Sequence, residues 1–349
     1  MNAEKYDVLI IGAGISGIGA ACHLKRELPG KSFAILERRD AIGGTWDLFR
    51  YPGIRSDSDM NTFGFSFRPW TETRVLSDGP SIKKYVEDTA REYDVLRHIR
   101  FGTKVTSTKF SSQTSQWTIE AVNEKSGEKS TYTANFVIAC TGYYNYDQGY
   151  RPEFPGEKNF QGQIIHPQKW PENLDYTGKK VVVIGRGATA VTLIPAMAPK
   201  TAHITMLQRS PTYIVSIPSN DTLSETLRRF LPKSWVYQMA RLRNVALQRL
   251  IFMLAKARPD AIRRLILGGA KRQLGDAVDI KHFSPKYNPW DERLCVVPDG
   301  DLFHTLKSGK ASVVTDQIET FTDKGIKLKS GKELEADIIV TATGLNVEL

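Results

Sequence analysis

The sequence of 349 residues predicts an α/β protein built from two strand–turn–helix units of one kind, the second carrying a long helical insertion. Three observations predict it. A branched apolar run from Tyr6 to Ile11 leads at once into GAGISG and then into the helix-like IGAACHLKREL. The same order returns in KKVVVIGRGATAVTLIPAMA, with Gly185 and Gly187 in the first two glycine positions and Ala190 in the third. From Ser224 to Leu274 the pattern changes to runs such as VALQRLIFMLA, whose apolar residues recur at the three-and-four spacing of helices.

Each position in the first turn has a physical reason. Gly12 permits the tight turn, Gly14 lets the backbone approach a pyrophosphate, and Gly17 lets the helix pack closely, with the helix N-terminus facing the anion. The following strand, KSFAILE, ends in Glu37, placed to accept from the ribose hydroxyls of an adenosine. Strand, turn, helix, strand and acid together read as a Rossmann-like dinucleotide-binding domain; the bland alternative is a glycine-rich turn that binds nothing. In the second unit the matching strand, HITMLQRS, puts Gln208 and Arg209 where the first has its acid. An acid would repel a 2′-phosphate and Arg209 can pair with it, so NADPH is expected over NADH there. A solvated arginine at a strand end is the alternative.

The stretch GGTWDLFRYPGIRSDSD is broken by glycine and proline and carries Trp46, Phe49 and Tyr51. It reads either as a loop packed over a ligand or as an aromatic-anchored surface loop. Residues Ser81 to Tyr93 read as helix, and Thr103–Phe110, Gln116–Val122 and Thr131–Cys140 as a strand meander. Two strands end in similar small turns, Cys140-Thr141-Gly142 and Ala342-Thr343-Gly344, which mark two crossings between nucleotide domains.

Composition narrows the class. The start carries no basic segment followed by a cleavage site, so a cytoplasmic location is expected. Three well-separated cysteines without a CxxC pair argue against a disulfide framework, a zinc ribbon and a redox dithiol. The six histidines show no ligand-like clustering, so no metal site is expected. Residues 224–274 hold twelve Lys and Arg against Glu225 and Asp260, an excess equal to the +10 of the whole chain. No nucleic-acid recognition motif accompanies that charge. Two readings stay open: a solvated basic face on helices packed against the second nucleotide domain, and helices with arginines on one face lying on the anionic inner face of a membrane.

Between the two turns stands FQGQIIHPQKWP. Phe160, Gly162, His166, Trp170 and Pro171 match, without substitution, the FxGxxxHxxxWP fingerprint of Baeyer-Villiger monooxygenases, and the chain resembles that family. Gly44, Trp46, Tyr51, Pro52, Gly53 and Asp57 also resemble its GxWxxxxYPGxxxD motif. With CTGYYNYD, MLQRSPTYIVS and HFSPKYNPWDERL, the wording is most similar to the ethionamide-activating branch.

The resemblance implies FAD in the first domain, NADPH in the second, and insertion of one oxygen atom of O2 into a ketone through a flavin C4a-peroxide. It also implies that Arg293 supplies positive charge beside the reacting oxygen, that Asp57 orients Arg293, and that Gly44, Trp46 and Asp57 belong to the cofactor loop. His166 is read as a hinge between domains rather than a catalyst. The substrate expected is a small ketone, or a thioether or thioamide if the branch also oxidises sulfur. The alternatives are an S- or N-oxygenating flavin monooxygenase, an NADPH-flavin oxidase, and a non-enzymatic nucleotide-binding fragment. Members of the family continue well past the ATG turn, so the flavin domain is expected to be truncated at Leu349. The expected domains are 1–148 with 333–349 for FAD and 149–332 for NADPH, the latter including the basic insertion at 218–285.

Overall fold

A computed structural model describes residues 4–348; residues 1–3 and 349, the outer ends of the expected flavin domain, lie outside the described residues. Two compact units are present. One comprises Met1–Leu48, Gly79–Tyr144 and Val347–Leu349, the other Phe49–Asp78 and Asn145–Asn346. The stretch 49–78 therefore groups with the unit of the second glycine turn.

The first unit is a six-stranded sheet formed by β1 (Glu4–Ile11), β2 (Phe33–Leu36), β3 (Ile99–Arg100), β4 (Thr103–Ser111), β5 (Gln116–Asn123) and β6 (Lys129–Ala139), in the order β3-β2-β1-β6-β5-β4. The three strands β4, β5 and β6 form the expected antiparallel meander, but β6 also runs parallel to β1, with Ile11 beside Ala139. That placement brings the turn after β6 against the turn after β1. Helix α1 (Ile15–Glu27) joins β1 to β2, and α2 (Thr45–Leu48) forms one helical turn in the stretch read from sequence as irregular. A second single turn, α3 (Met60–Phe63), lies in the other unit, and α4 (Gly79–Glu92) returns to the first. Leu9, Leu36, Ile119 and Tyr132 form part of the core.

The chain passes through β7 (Tyr144–Gly149) into the second unit, whose main sheet is wholly parallel. Its strands are β8 (Gln163–Ile165), β9 (Lys180–Ile184), β10 (His203–Gln208), β13 (Ala311–Thr315) and β17 (Ile338–Thr341), in the order β13-β10-β9-β17-β8. Runs such as KVVVI are apolar throughout because a parallel strand is covered on both faces. Helix α5 (Ala188–Met197) follows β9. A parallel pair, β11 (Tyr213–Ile217) and β12 (Leu294–Pro298), and an antiparallel meander, β14 (Ile318–Phe321), β15 (Gly325–Leu328) and β16 (Glu333–Glu335), flank the sheet in sequence, and β18 (Leu345–Val347) pairs with β7.

The insertion is helical as expected: α6 (Thr222–Leu227), α7 (Lys233–Ala257) and α8 (Pro259–Leu274), with α9 (Asp301–Lys307) after β12. A single basic face is not what these helices present. Arg241 donates to the carbonyls of Asn61, Thr62 and Gly64, and Arg228 to those of Trp70 and Thr71. Arg243 pairs with Asp221 at 2.6 Å, and Arg263 donates to Pro285. Arg228, Arg241 and Arg263 turn inward to carbonyls of loops and of the end of α3 that have no ladder or helix partner, and a guanidinium offers five donors. No helix among the described residues is long and apolar enough to cross a membrane.

Candidate cofactor and oxygenation site

At the first turn Gly12 adopts φ 104°, and a Cβ there would lie 2.5 Å from the Cys140 carbonyl oxygen. A Cβ on Gly17 would lie 1.8 Å from the Gly12 carbonyl oxygen, so the helix is held closer than any side chain allows. Gly14 caps α1 in extended conformation, with no side-chain cap and no acid in the first turn, which suits an anion at the helix start. Gly44 (φ 55°) backs the turn, its Cα lying 3.7 Å from where a Gly14 Cβ would stand. Glu37 is buried, and its carboxylate accepts from the N–H of Ala13 (2.6 Å) and of Arg39 (2.7 Å). Each carboxylate oxygen thus has one partner and retains a lone pair for a ribose hydroxyl. Trp46 sits on α2, half-buried, beside the buried Asp47, which pairs with Arg39 and Lys83. The turn fits the adenosine diphosphate portion of a flavin dinucleotide.

The second turn repeats the device. Gly185 (φ 152°) would place a Cβ 2.3 Å from the Ala342 carbonyl oxygen, as Gly12 would against Cys140. The echo between the CTG and ATG turns has this cause: each presses a carbonyl into the space left by the first glycine. Gly187 caps α5 in extended conformation, again with no side-chain cap, and Ala190 is fully buried where the first unit has Gly17. Register aligns Leu207 with Leu36, since each accepts from its turn's first glycine N–H. Gln208 therefore stands in the place of Glu37; it is buried and donates to the His282 carbonyl and the Thr315 hydroxyl. Arg209 is exposed, and its guanidinium makes no hydrogen bond or ion pair among the described residues. Arg186 is occupied with the Pro211 carbonyl and Glu292. Uncapped helix, absent acid and free arginine fit a 2′-phosphorylated nicotinamide dinucleotide.

Arg293 lies on this second turn: a Cβ at Gly187 would come within 2.5 Å of its Nη1. Its carbonyl is pinned by the hydroxyls of Tyr287 (2.7 Å) and Thr212 (3.0 Å), two positioning residues with no sequence signal beyond their neighbourhood. The sequence-level pairing of Arg293 with Asp57 is not formed. Asp57 is exposed and makes no ion pair among the described residues. Both charges nevertheless reach Cys295, whose thiol burial pushes up to about 11, opposed by Arg293 and reinforced by Asp57. Cys295 therefore stays a neutral thiol. The arginines of this loop pair with other acids: Arg55 is bonded to Asp301 at 2.5 Å on the first turn of α9, and Arg50 to Glu172 at 2.8 Å.

The YPG segment is fixed by helix α5. The hydroxyl of the buried Tyr51 bonds with Thr189 and Thr192, and a Cβ on Gly53 (φ 81°) would lie 2.4 Å from the Thr192 carbonyl oxygen. Of the loop's two alternatives, the structure shows its YPG half packed on helix α5 of the second unit.

The joint is part edge strand. Phe160 enters the second core edge-on to Phe321 (6.4 Å), and a Cβ on Gly162 would strike the Phe160 ring at 2.5 Å. Residues 163–165 form β8, followed by a 3-10 turn, Pro167–Lys169, that His166 caps, with Trp170 half-buried and Pro171 exposed at its end. His166 Nδ1 accepts from the Gln168 N–H (3.2 Å), so Nε2 carries the proton toward the Gly344 carbonyl (3.2 Å). The ring also fills the space beside Gly149, where a Cβ would lie 1.9 Å from Cε1. Burial holds its pKa below the usual histidine value, against the raising effect of the Gly344 and Tyr150 carbonyls. One imidazole thus ties together β8, the end of β7 and the turn before β18.

Known proteins point the same way. The model of the flavin-binding monooxygenase-like family matches residues 5–349. MymA of Mycobacterium tuberculosis is 60% identical over 350 residues, covering 99% of this chain and 71% of MymA. The FAD-containing monooxygenase EthA of the same organism is 55% identical over 348 residues, again covering 99% and 71%. Among solved structures, cyclohexanone monooxygenase bound to epsilon-caprolactone aligns with TM-score 0.80 at 26% identity, over 99% of this chain and 74% of that one. An oxidised steroid monooxygenase bound to NADP aligns with TM-score 0.80 at 25% identity, over 98% and 71%. Both domains of the chain have the Rossmann-like architecture of those two-domain structures.

Proposed function

The chain belongs to the flavin-binding monooxygenase-like family, and on that footing we propose that it is an FAD- and NADPH-dependent monooxygenase of Baeyer-Villiger type, converting ketones to esters or lactones. The observation that carries the reading is the placement of Arg293 on Gly187, in a unit whose second strand ends in the free Arg209. A solved relative holding a lactone and a second holding NADP support the product class and the cofactor. FAD would be held by Gly12, Gly14, Gly17, Glu37, Gly44 and Trp46, and NADPH by Gly185, Gly187, Ala190 and Arg209. When bound, the flavin supplies hydride acceptance and oxygen activation.

The chain's own residues do the rest. Arg293 provides a fixed positive charge that stabilises negative charge developing during oxygen transfer. Tyr287 and Thr212 hold its backbone so that little reorganisation is needed at that moment. Asp57 is the acid proposed to orient the guanidinium in the working enzyme. His166 is a structural hinge, because a neutral ring that spends its Nδ1 lone pair and its Nε2 proton on backbone groups has neither left for a substrate.

The test is product analysis after incubation with NADPH, O2, a linear ketone and a thioether, set against hydrogen peroxide yield. Ester from wild type, and ester lowered on the order of 100-fold in Arg293→Ala with flavin retained, is the expected result. Sulfoxide alone would assign the chain to S-oxygenation, peroxide alone to an oxidase, and a colourless protein to a nucleotide-binding fragment.

A further inference from the structure

The longest helix of the insertion is turned inside out. In α7 the residues facing the protein are Val236, Tyr237, Ala240 and Ala255, with Arg241 bonding loop carbonyls beside them. The opposite stripe consists of Trp235, Met239, Leu242, Leu250 and Met253, spaced so that all five fall on one side of a helix. They are half or more exposed, Leu242 at 72% and Trp235 at 65%, and Phe230 just before the helix is 79% exposed. Water-facing helix surfaces normally carry the polar residues, so an apolar stripe on a helix about 37 Å long needs something to cover it.

The charges around the stripe select its partner. The sequence has no Asp or Glu between Glu225 and Asp260. Arg229, Lys233 and Arg249 are exposed and have no ion pair or side-chain hydrogen bond among the described residues, unlike the inward Arg228, Arg241 and Arg243. By helical spacing Arg249 falls beside the stripe, while Arg229 and Lys233 stand at its N-terminal end. A second copy applied to the same face would bring like charges together with no acid to answer them. Apolar residues, an aromatic pair at one end and unpaired cations are the composition of a helix that lies flat in a lipid interface.

We infer that α7 docks in the plane of an anionic phospholipid surface, burying Trp235, Met239, Leu242, Leu250 and Met253 among the acyl chains while Arg229, Lys233 and Arg249 meet headgroup phosphates. The docking is independent of the oxygenation chemistry, and its test reads binding, not turnover. The purified full chain is sedimented with vesicles of phosphatidylcholine alone and of phosphatidylcholine mixed with phosphatidylglycerol, at low and at high salt. Binding to the mixed vesicles, weakened by salt, is expected, together with tryptophan quenching by brominated acyl chains that Trp235→Phe diminishes. Leu242→Glu with Met253→Glu should weaken vesicle binding at least tenfold. Should that pair disturb folding by circular dichroism, Lys233→Gln with Arg249→Gln leaves the packed face intact and should cost about fivefold per cation. Equal sedimentation with neutral and anionic vesicles overturns the inference, as does wild-type affinity in either folded double variant. A dimer seen by light scattering that Leu242→Glu dissolves, without vesicle binding, would overturn it in favour of self-association.

Discussion

The two glycine turns share one backbone device and differ in the residues that close the second strand of each unit. In both, the first glycine has positive φ and makes room for a carbonyl from the strand on its other side, Cys140 in one case and Ala342 in the other. Both helices start on an extended glycine without a side-chain cap. After β2 comes Glu37, buried and bonded to the turn's own backbone; at the end of β10 come a buried neutral Gln208 and an exposed, unpartnered Arg209. The shared part is steric; in the proposed function it would set where a pyrophosphate lies. The differing part is electrostatic, and in the same proposal it would set which adenosine is accepted. A third term appears at the second turn, where the Arg293 guanidinium lies over Gly187, the charge to which the proposed function gives the oxygenation chemistry.

The steric half is the most costly to disturb. Gly12→Ala would combine a strained φ with a contact no Cβ tolerates, a loss of about 3 kcal/mol or more. It should abolish FAD retention, whereas Gly185→Ala should leave FAD bound and abolish NADPH binding. Flavin absorbance and nucleotide titration check this, and loss of both nucleotides from either variant would break the parallel. The electrostatic half is smaller. Removing a charge-assisted contact with Arg209→Gln should lower kcat/KM for NADPH roughly 10- to 100-fold and leave NADH nearly unchanged. An unaltered NADPH-to-NADH ratio would sink the assignment of Arg209.

The smallest effect lies in the joint. The folded pKa of His166 is below the ordinary value of 6.5, so below that pH the unfolded chain binds more protons than the folded one. Stability contributed by the neutral ring is therefore present above 6.5 and is lost as pH falls toward the lowered folded value. Protonating Nδ1 would set a hydrogen against the Gln168 N–H and undo the cap. Urea midpoints from pH 7.5 down to 5.5 should fall less steeply in His166→Gln than in wild type. Burial also holds His98 and His282 low, so the variant should remove part of the slope and not all of it.

Much of this was readable from residues alone. Gly12, Gly17 and Gly185 are backbone requirements that no other residue meets, so the turns announce themselves in sequence. The apolar runs of β1, β2, β9 and β10 do the same, because strands covered on both faces have no polar alternation. Less was readable of the loop 44–57, whose fate depends on what it packs against. The sequence shows Tyr51, Pro52 and Gly53 as an aromatic turn; only the fold puts them on Thr189, Thr192 and Ala196 of α5. Arg293 and Asp57 were named from motif resemblance and are not ion-paired, while the pairing of Arg55 with Asp301 had no signal, since its partners are far apart in the chain.

The basic insertion shows where the division lies. Period and composition alone determined that residues 224–274 are helical and cationic, because spacing and charge are properties of the chain itself. Which arginines face inward, and that the outward stripe of α7 is apolar, were decided only by tertiary structure. The carbonyls of Asn61, Thr62 and Gly64 take the guanidinium of Arg241 and those of Trp70 and Thr71 that of Arg228, and with these arginines turned inward Trp235, Leu242 and Met253 face out.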